Sequence, residues 1–148
     1  MGMEYRPYFL GLNWVKSGHA VTVVACSYSH SRRIQPGRTF LYKKENIDGI
    51  EYIWVYGNRY NGNGVMRALN IIMYSFLSCF LFIYLRKDYG VLINSSTHTI
   101  DVFPLTIYKF FNRLFFRTKK VISVFEPHDL WPMVLTEIGK MNKFHPFG

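Results

Sequence analysis

The sequence has few cysteines and few acidic residues. Cys26 and Cys79 are its only cysteines and both fall in apolar runs, so we expect free buried thiols in a reducing compartment rather than a disulfide framework. Nine acidic residues stand against 18 basic ones, which gives a net charge of +9. The first residues also lack the basic and then apolar pattern of a secretory signal. These absences indicate a cytoplasmic protein with a negatively charged partner.

Several motifs of catalysis and of nucleic-acid binding are missing as well. The five histidines are scattered and form no HExxH pattern, so we predict no bound metal. No G-x-S-x-G elbow, P-loop or G-x-G-x-x-G is present, and hydrolase and kinase functions therefore have no support. The basic residues are dispersed, without a zinc knuckle or an RNP signature, and we predict no nucleic-acid partner.

What the sequence does contain is typical of a folded α/β domain. The hydrophobic fraction of 49% and aromatic fraction of 18% in 148 residues suit one domain with a single core. Apolar spacing predicts the following order: helix 4–17, strand 20–25, strand 49–55, apolar helix 69–85, strand 91–93, helix 104–117 and strand 121–125. Residues 27–44 are predicted to form a polar loop. This order indicates a mainly parallel sheet with helices on both faces, and since such domains open with a strand, we expect the first strand to be missing.

The uncharged segment from Leu69 to Leu85 has two interpretations. As a helix it would be ~26 Å long, just under the ~30 Å hydrocarbon core of a membrane, so it could span. Its five Phe and Tyr residues and three polar residues favour the other interpretation, a helix that covers the sheet and touches the bilayer with its outer face. Lys109, Arg113 and Arg117 recur on one face of the next helix. That face is either solvated or directed at lipid.

Polar side chains follow three of the predicted strands. The loops are Cys26 to Arg32, Asn94 to His98, and Glu126 to Asp129. In open parallel sheets, ligands bind at the carboxyl ends of strands, so these loops predict a cleft for a sugar or phosphate ligand. A structural alternative is that Asp129 only caps a following helix.

Four stretches carry a resemblance to a known family: GMEYRPYFLGLNWVKSGHAVTVVACSYSHSR (2–32), IDGIEYIWV (47–55), YNGNG (60–64) and VFEPHDLWPMVLTEIGKMNKFHPF (124–147). Together they resemble the N-terminal half of bacterial family 4 glycosyltransferases, in the branch that builds colanic acid, O-antigen and capsular polysaccharide. The resemblance implies a GT-B fold, in which a Rossmann-like N-terminal domain takes the acceptor. A C-terminal domain with a Glu-x₇-Glu motif holds the nucleotide-sugar donor, and no metal or other cofactor takes part.

The resemblance also implies an organisation for the chain. Residues 1–148 would be a partial acceptor-binding domain without the donor domain, and we expect the chain alone to be inactive. Its partners would be a nucleotide-sugar bound by a separate C-terminal domain, a lipid-linked sugar acceptor and an anionic membrane surface. The protein would be peripheral at the inner face of the cell membrane. The alternative function is a non-catalytic membrane-associated module, or a small membrane protein, that has lost the donor domain.

Roles for individual residues come from the same resemblance. His128 and Asp129 match the family's His-Asp pair and would be catalytic, although Pro127 replaces the small apolar residue expected before them. The acceptor-binding residues would be Glu4, Arg6, Arg32, Ser95, Ser96, Thr97 and Glu126.

Overall fold

A computed structural model describes residues 5–30, 32–37, 39–62, 64–85, 87–96, 99–116 and 120–127 of the chain. The chain divides into two compact units, Met1–Tyr84 and Leu85–Gly148. Each unit combines helices with a small sheet, and the predicted α/β class is therefore confirmed.

The first unit contains two helices and one three-stranded sheet. Its elements are α1 (Tyr5–Lys16), β1 (Thr22–Cys26), β2 (Tyr42–Ile47), β3 (Ile50–Val55) and α2 (Val65–Leu85). The strand order is β1-β3-β2. β1 is parallel to β3, and β2 is antiparallel to β3. The sheet is thus mixed, whereas the sequence predicted a mainly parallel one.

The two helices of this unit cover opposite faces of its sheet. On one face Ile50, Tyr52 and Trp54 form a buried cluster, against which side chains of α1 such as Leu12 pack. Because side chains alternate along a strand, the fully buried Ile53 and Val55 point to the other face. α2 lies on that face, where the Tyr74 hydroxyl donates a hydrogen bond of 3.1 Å to the Val24 carbonyl.

The first half of strand β2 lies in the predicted loop 27–44, and its second half lies between that loop and the strand predicted at 49–55. Its Lys43, Lys44 and Glu45 are poor strand formers. The tight turn that joins β2 to β3 explains the pairing, because Asp48 and Gly49 both have positive φ angles, of 51° and 85°. Two consecutive residues of this kind match the twist of a hairpin. Turn and partner strand together override the propensity of β2.

The second unit contains a two-stranded parallel sheet and one helix. Its elements are β4 (Val91–Ser96), a 3-10 turn (Thr99–Asp101), α3 (Val102–Phe111), a π-helical turn (Asn112–Phe116) and β5 (Ile122–Pro127). β4 and β5 are paired in parallel register, from Val91 opposite Ile122 to Ser96 opposite Pro127. The helix predicted over 104–117 therefore begins earlier and changes its winding before residue 117.

Buried Tyr108 attaches α3 to the segment ahead of β4. Its hydroxyl donates to the Lys87 carbonyl at 2.8 Å and accepts from the Tyr89 amide at 3.0 Å. Lys109 and Arg113 of the predicted basic face are exposed, whereas Arg117 lies outside the described residues.

Each sheet ends in an open edge within the part of the chain that the structure describes. There β1 is hydrogen-bonded to β3 alone and β4 to β5 alone. The expected additional strand at the start of the domain stays a prediction.

Candidate functional site

A shallow cavity of about 520 Å³, wide open to solvent, lies in the first unit, at the edge of the sheet where the parallel strands β1 and β3 both end. The loop after β1, the loop after β3 and the first turn of α2 supply its walls. The lining residues are Tyr28, Gln35, Arg59, Tyr60, Asn61 and Met66. A cavity at this edge occupies the position where open α/β sheets bind ligands.

Two tyrosines form the rigid wall of the cavity. The Tyr28 hydroxyl donates to the Tyr60 carbonyl at 3.1 Å, and the two rings meet edge to face with centroids 5.2 Å apart. Nδ1 of His30 lies 3.1 Å from the Tyr60 hydroxyl. Burial raises the pKa of Tyr60 above its usual value of 10.0, so its hydroxyl stays protonated at neutral pH. This wall presents neutral aromatic and hydroxyl groups.

Gln35 has a structural role in the opposite wall. Its Oε1 accepts a hydrogen bond from the Ser29 amide at 3.2 Å, and its Nε2 donates to the carbonyls of Ser29 and Arg32, both at 2.7 Å. These bonds fix the loop after β1. The exposed side chains of Arg59 and Asn61 are the lining groups best placed to reach a ligand.

A layer of short contacts holds the carboxyl ends of β1 and β3 together. The Ser27 amide donates to the Val55 carbonyl at 2.7 Å, and the Gly57 amide donates to Ser27 Oγ at 3.0 Å. Nδ2 of Asn70 lies 3.6 Å from the Cys26 sulfur, which links α2 to the same point. Two strands and a helix are therefore held together at this point.

Arg32, predicted to bind the acceptor, is occupied by contacts within the protein. Its guanidinium donates to the Cys26 carbonyl at 2.9 Å and lies 4.9 Å from the centre of the Trp54 ring. Trp54 belongs to the cluster beneath α1. Arg32 thus braces the loop after β1 and is not among the residues that line the cavity.

A second polar cluster lies in the other unit, at the carboxyl ends of the parallel strands β4 and β5. Ser95 Oγ donates to Glu126 Oε2 at 3.0 Å, and Ser96 Oγ donates to Asp101 Oδ2 at 2.5 Å. Three predicted acceptor-binding residues are thus brought together. Asp101, which ends the 3-10 turn before α3, joins them, although the sequence analysis did not select it. Hydroxyls and carboxylates in this arrangement can bind the hydroxyls of a sugar.

The remaining predicted site residues are either exposed or outside the described residues. Arg6 is exposed in the first turn of α1. Glu4, Thr97, His128 and Asp129 lie outside the described residues, so their predicted roles stay predictions. Among the residues that the structure describes, no group of three or more His, Cys, Asp or Glu side chains could hold a metal ion.

Arg59, Tyr60 and Asn61 were missed as candidate site residues. The sequence analysis treated residues 57–64 as a break between elements, because glycine and asparagine dominate them. The signal that could have identified them is position, since this loop follows β3 just as Ser27 to Arg32 follow the parallel strand β1.

Comparison of the chain with protein-family models, characterised proteins and solved structures finds no match.

Proposed function

We propose that this chain is the acceptor-binding part of a glycosyltransferase. The enzyme would transfer a sugar from a nucleotide-sugar to a lipid-linked or polysaccharide acceptor in cell-surface polysaccharide biosynthesis. The observation that carries the proposal is the cavity at the carboxyl ends of β1 and β3, whose exposed polar groups suit a phosphorylated sugar.

The size and chemistry of the cavity support this ligand class. Its volume of about 520 Å³ lies within the ~300–1,000 Å³ usual for small-molecule sites. The guanidinium of Arg59 can bind a phosphate through two parallel hydrogen bonds. The Asn61 amide can bond to sugar hydroxyls, and the half-buried ring of Tyr28 offers apolar surface to the C–H face of a sugar.

The proposal extends to the fold and location implied by the resemblance. The domain would belong to a Rossmann-like, GT-B architecture, with the nucleotide-sugar bound by a separate C-terminal domain. The enzyme would be cytoplasmic and peripheral at the inner face of the cell membrane, where lipid-linked acceptors are found. Ser95, Ser96 and Glu126 would add hydroxyl and carboxylate contacts to the acceptor.

Binding of a model acceptor tests the proposal. The full chain is titrated by calorimetry with a short-chain prenyl-diphosphate-linked monosaccharide. We expect Arg59→Ala to weaken binding about tenfold or more, since loss of a charge-assisted hydrogen bond costs about 1.5–3 kcal/mol. Arg33→Ala is the matched control, because Arg33 is also exposed but does not line the cavity. Equal affinity in both variants, or no binding by the unmodified chain, would contradict the proposal.

The catalytic pair calls for a separate test in a protein that carries both domains. We expect His128→Ala to lower sugar transfer by orders of magnitude while the protein remains folded, because the imidazole would act at the reacting hydroxyl. Radiolabelled transfer to the acceptor and a circular dichroism spectrum measure the two quantities. Unchanged turnover would remove His128 from the catalytic site.

A further inference from the structure

The side chains of α2 are arranged in the reverse of the usual order. Polar residues of this helix point inward: Asn70, Ser75 and Ser78 are only 2–4% exposed. Large apolar residues point outward instead. These exposed side chains are Val65, Met66, Leu69, Ile72, Phe76, Phe80, Ile83 and Tyr84, each at least 36% exposed. Amphipathic helices of globular proteins normally bury the apolar side.

The outward residues form one continuous strip. At about 100° per residue they fall within an arc of roughly 120° along the whole length of the helix. Arg67 is the single charged residue in Val65–Leu85. By length and composition the helix could cross a membrane. Its most apolar stretch of 18 residues has a mean hydropathy of 2.0, and 28% of that stretch is buried. An exposed apolar strip of this extent marks an interaction surface.

Contacts on the inner side show that α2 lies on the sheet. The Tyr74 hydroxyl bonds to the Val24 carbonyl at 3.1 Å, and Asn70 lies 3.6 Å from the Cys26 sulfur. If the helix crossed a membrane in this arrangement, the sheet would enter the hydrocarbon together with the exposed Lys43 and Lys44 of β2. Charged side chains are costly in that region. The inner contacts therefore favour a helix that lies flat on a membrane surface.

Charge identifies which surface covers the strip. The chain carries a net charge of +9, so two copies repel each other, whereas an anionic lipid surface attracts the protein. Arg59 is exposed and shares the cavity wall with Met66, at the first turn of α2. Apolar groups beside cations are the usual composition of a membrane-binding surface.

We infer that the outward face of α2 inserts into the surface of an anionic lipid bilayer, with the helix axis parallel to the membrane plane. The inference rests on the exposed strip and on charge, and it stands independently of sugar transfer.

Tryptophan quenching by brominated lipids tests the insertion directly. The full chain carrying Phe76→Trp is mixed with phosphatidylglycerol–phosphatidylcholine vesicles that contain bromine on the acyl chains. We expect its additional fluorescence to be quenched, because residue 76 would lie among the acyl chains. Phe9→Trp is the matched control, since Phe9 is also an exposed phenylalanine but lies on α1, on the other side of the sheet. Both changes are conservative, so both variants are expected to fold. Equal quenching in the two variants, or none in Phe76→Trp, would overturn the inference.

A binding measurement provides the second test. We expect the double variant Phe76→Glu, Phe80→Glu to bind anionic vesicles at least tenfold more weakly than Phe9→Glu in a sedimentation assay. Equal binding to vesicles of phosphatidylcholine alone would overturn the charge argument. Resistance of the vesicle-bound protein to alkaline carbonate would indicate a spanning helix and overturn the flat orientation. Dimers that form without lipid and are lost in the double variant would assign the strip to a second copy instead.

Discussion

At the scale of single residues, the close approach of α2 to the sheet depends on Gly57. A Cβ atom at this position would collide with the Cys26 sulfur and would lie 3.0 Å from Asn70 Oδ1. These atoms belong to β1 and to α2, so the missing side chain lets a strand, a loop and a helix meet at one point.

The substitution Gly57→Ala should lower the free energy of unfolding by about 1–3 kcal/mol, the usual cost of overpacking. Urea unfolding followed by circular dichroism measures the change. Gly64→Ala is the control, because a Cβ at Gly64 would have no atom within 4 Å. Equal stability of the two variants would show that the contacts around Gly57 adjust without loss of free energy of unfolding.

Tyr108 makes the second unit sensitive to high pH. Burial is the main reason that its pKa lies above the usual 10.0. The pKa is therefore higher in the folded state than in the unfolded state. The resulting stability is fully present below pH 10 and is lost as the pH rises through the folded-state pKa. An ionised Tyr108 could no longer donate its proton to the Lys87 carbonyl.

We expect Tyr108→Phe to reduce the free energy of unfolding by about 1–3 kcal/mol at pH 7, the net value of the two hydrogen bonds that its hydroxyl makes. Above pH 10 the variant should lose stability less steeply than the unmodified chain. Urea titrations between pH 7 and pH 11 give both quantities. Parallel curves for the two proteins would assign the alkaline sensitivity to other tyrosines.

At the scale of elements, the β2–β3 hairpin determines the shape of the first sheet. Its turn residue Gly49 has a φ angle of 85°, and a Cβ there would lie 2.9 Å from Cγ1 of Val15 in α1. The Tyr8 hydroxyl donates to Asp48 Oδ2 at 2.6 Å, so α1 contacts the turn twice. The turn therefore fixes the hairpin and also positions the helix.

Alanine substitutions at two glycines separate the free-energy cost of a positive φ angle from the free-energy cost of crowding. Gly37 also has a positive φ, of 93°, but a Cβ there would meet no atom within 4 Å. Gly37→Ala should cost about 1 kcal/mol, for the left-handed conformation alone. Gly49→Ala should cost about 1–3 kcal/mol more, since it also displaces Val15. Thermal unfolding of both variants measures the difference, and equal midpoints would exclude a packing role for the turn.

The sequence predicted most elements of this fold because their patterns are local. The apolar run from Ala20 to Ala25 predicted β1, which the structure has at Thr22–Cys26, and helical spacing predicted α1 to within one residue at each end. β2 could not be found in this way, since its pairing depends on a partner strand and a turn. Ser95 and Glu126 of the second polar cluster were candidates from the sequence, because each follows a predicted strand. The inward direction of Asn70 and Ser78 was not predictable, because it depends on how α2 packs against the sheet.

At the scale of the whole molecule, net charge and the strip on α2 act together. The charge of +9 attracts the protein to an anionic surface over a distance set by salt, whereas the apolar strip acts only in contact. Attraction and insertion are therefore separable by ionic strength.

Raising NaCl from 0.1 M to 1 M shortens the Debye length from about 10 Å to about 3 Å. We expect this change to weaken binding to phosphatidylglycerol-containing vesicles at least tenfold, because several cations contribute. Sedimentation at each salt concentration measures the affinity. Vesicles of phosphatidylcholine alone are the control, and their weak binding should stay nearly constant. Equal salt dependence for both vesicle types would contradict an electrostatic role for the basic residues.

Within the part of the chain that the structure describes, the outer edges of β1 and β4 pair with no further strand, which has a consequence for the handling of the protein. Such an edge is a template on which another extended chain can add by backbone hydrogen bonding. Because the strand Thr22–Cys26 is apolar, a chain added to it should dissociate slowly. Aggregation on storage should then be faster at higher protein concentration. Its lag phase should become shorter when an aged sample is added. Dilution, more than cooling, would preserve the protein.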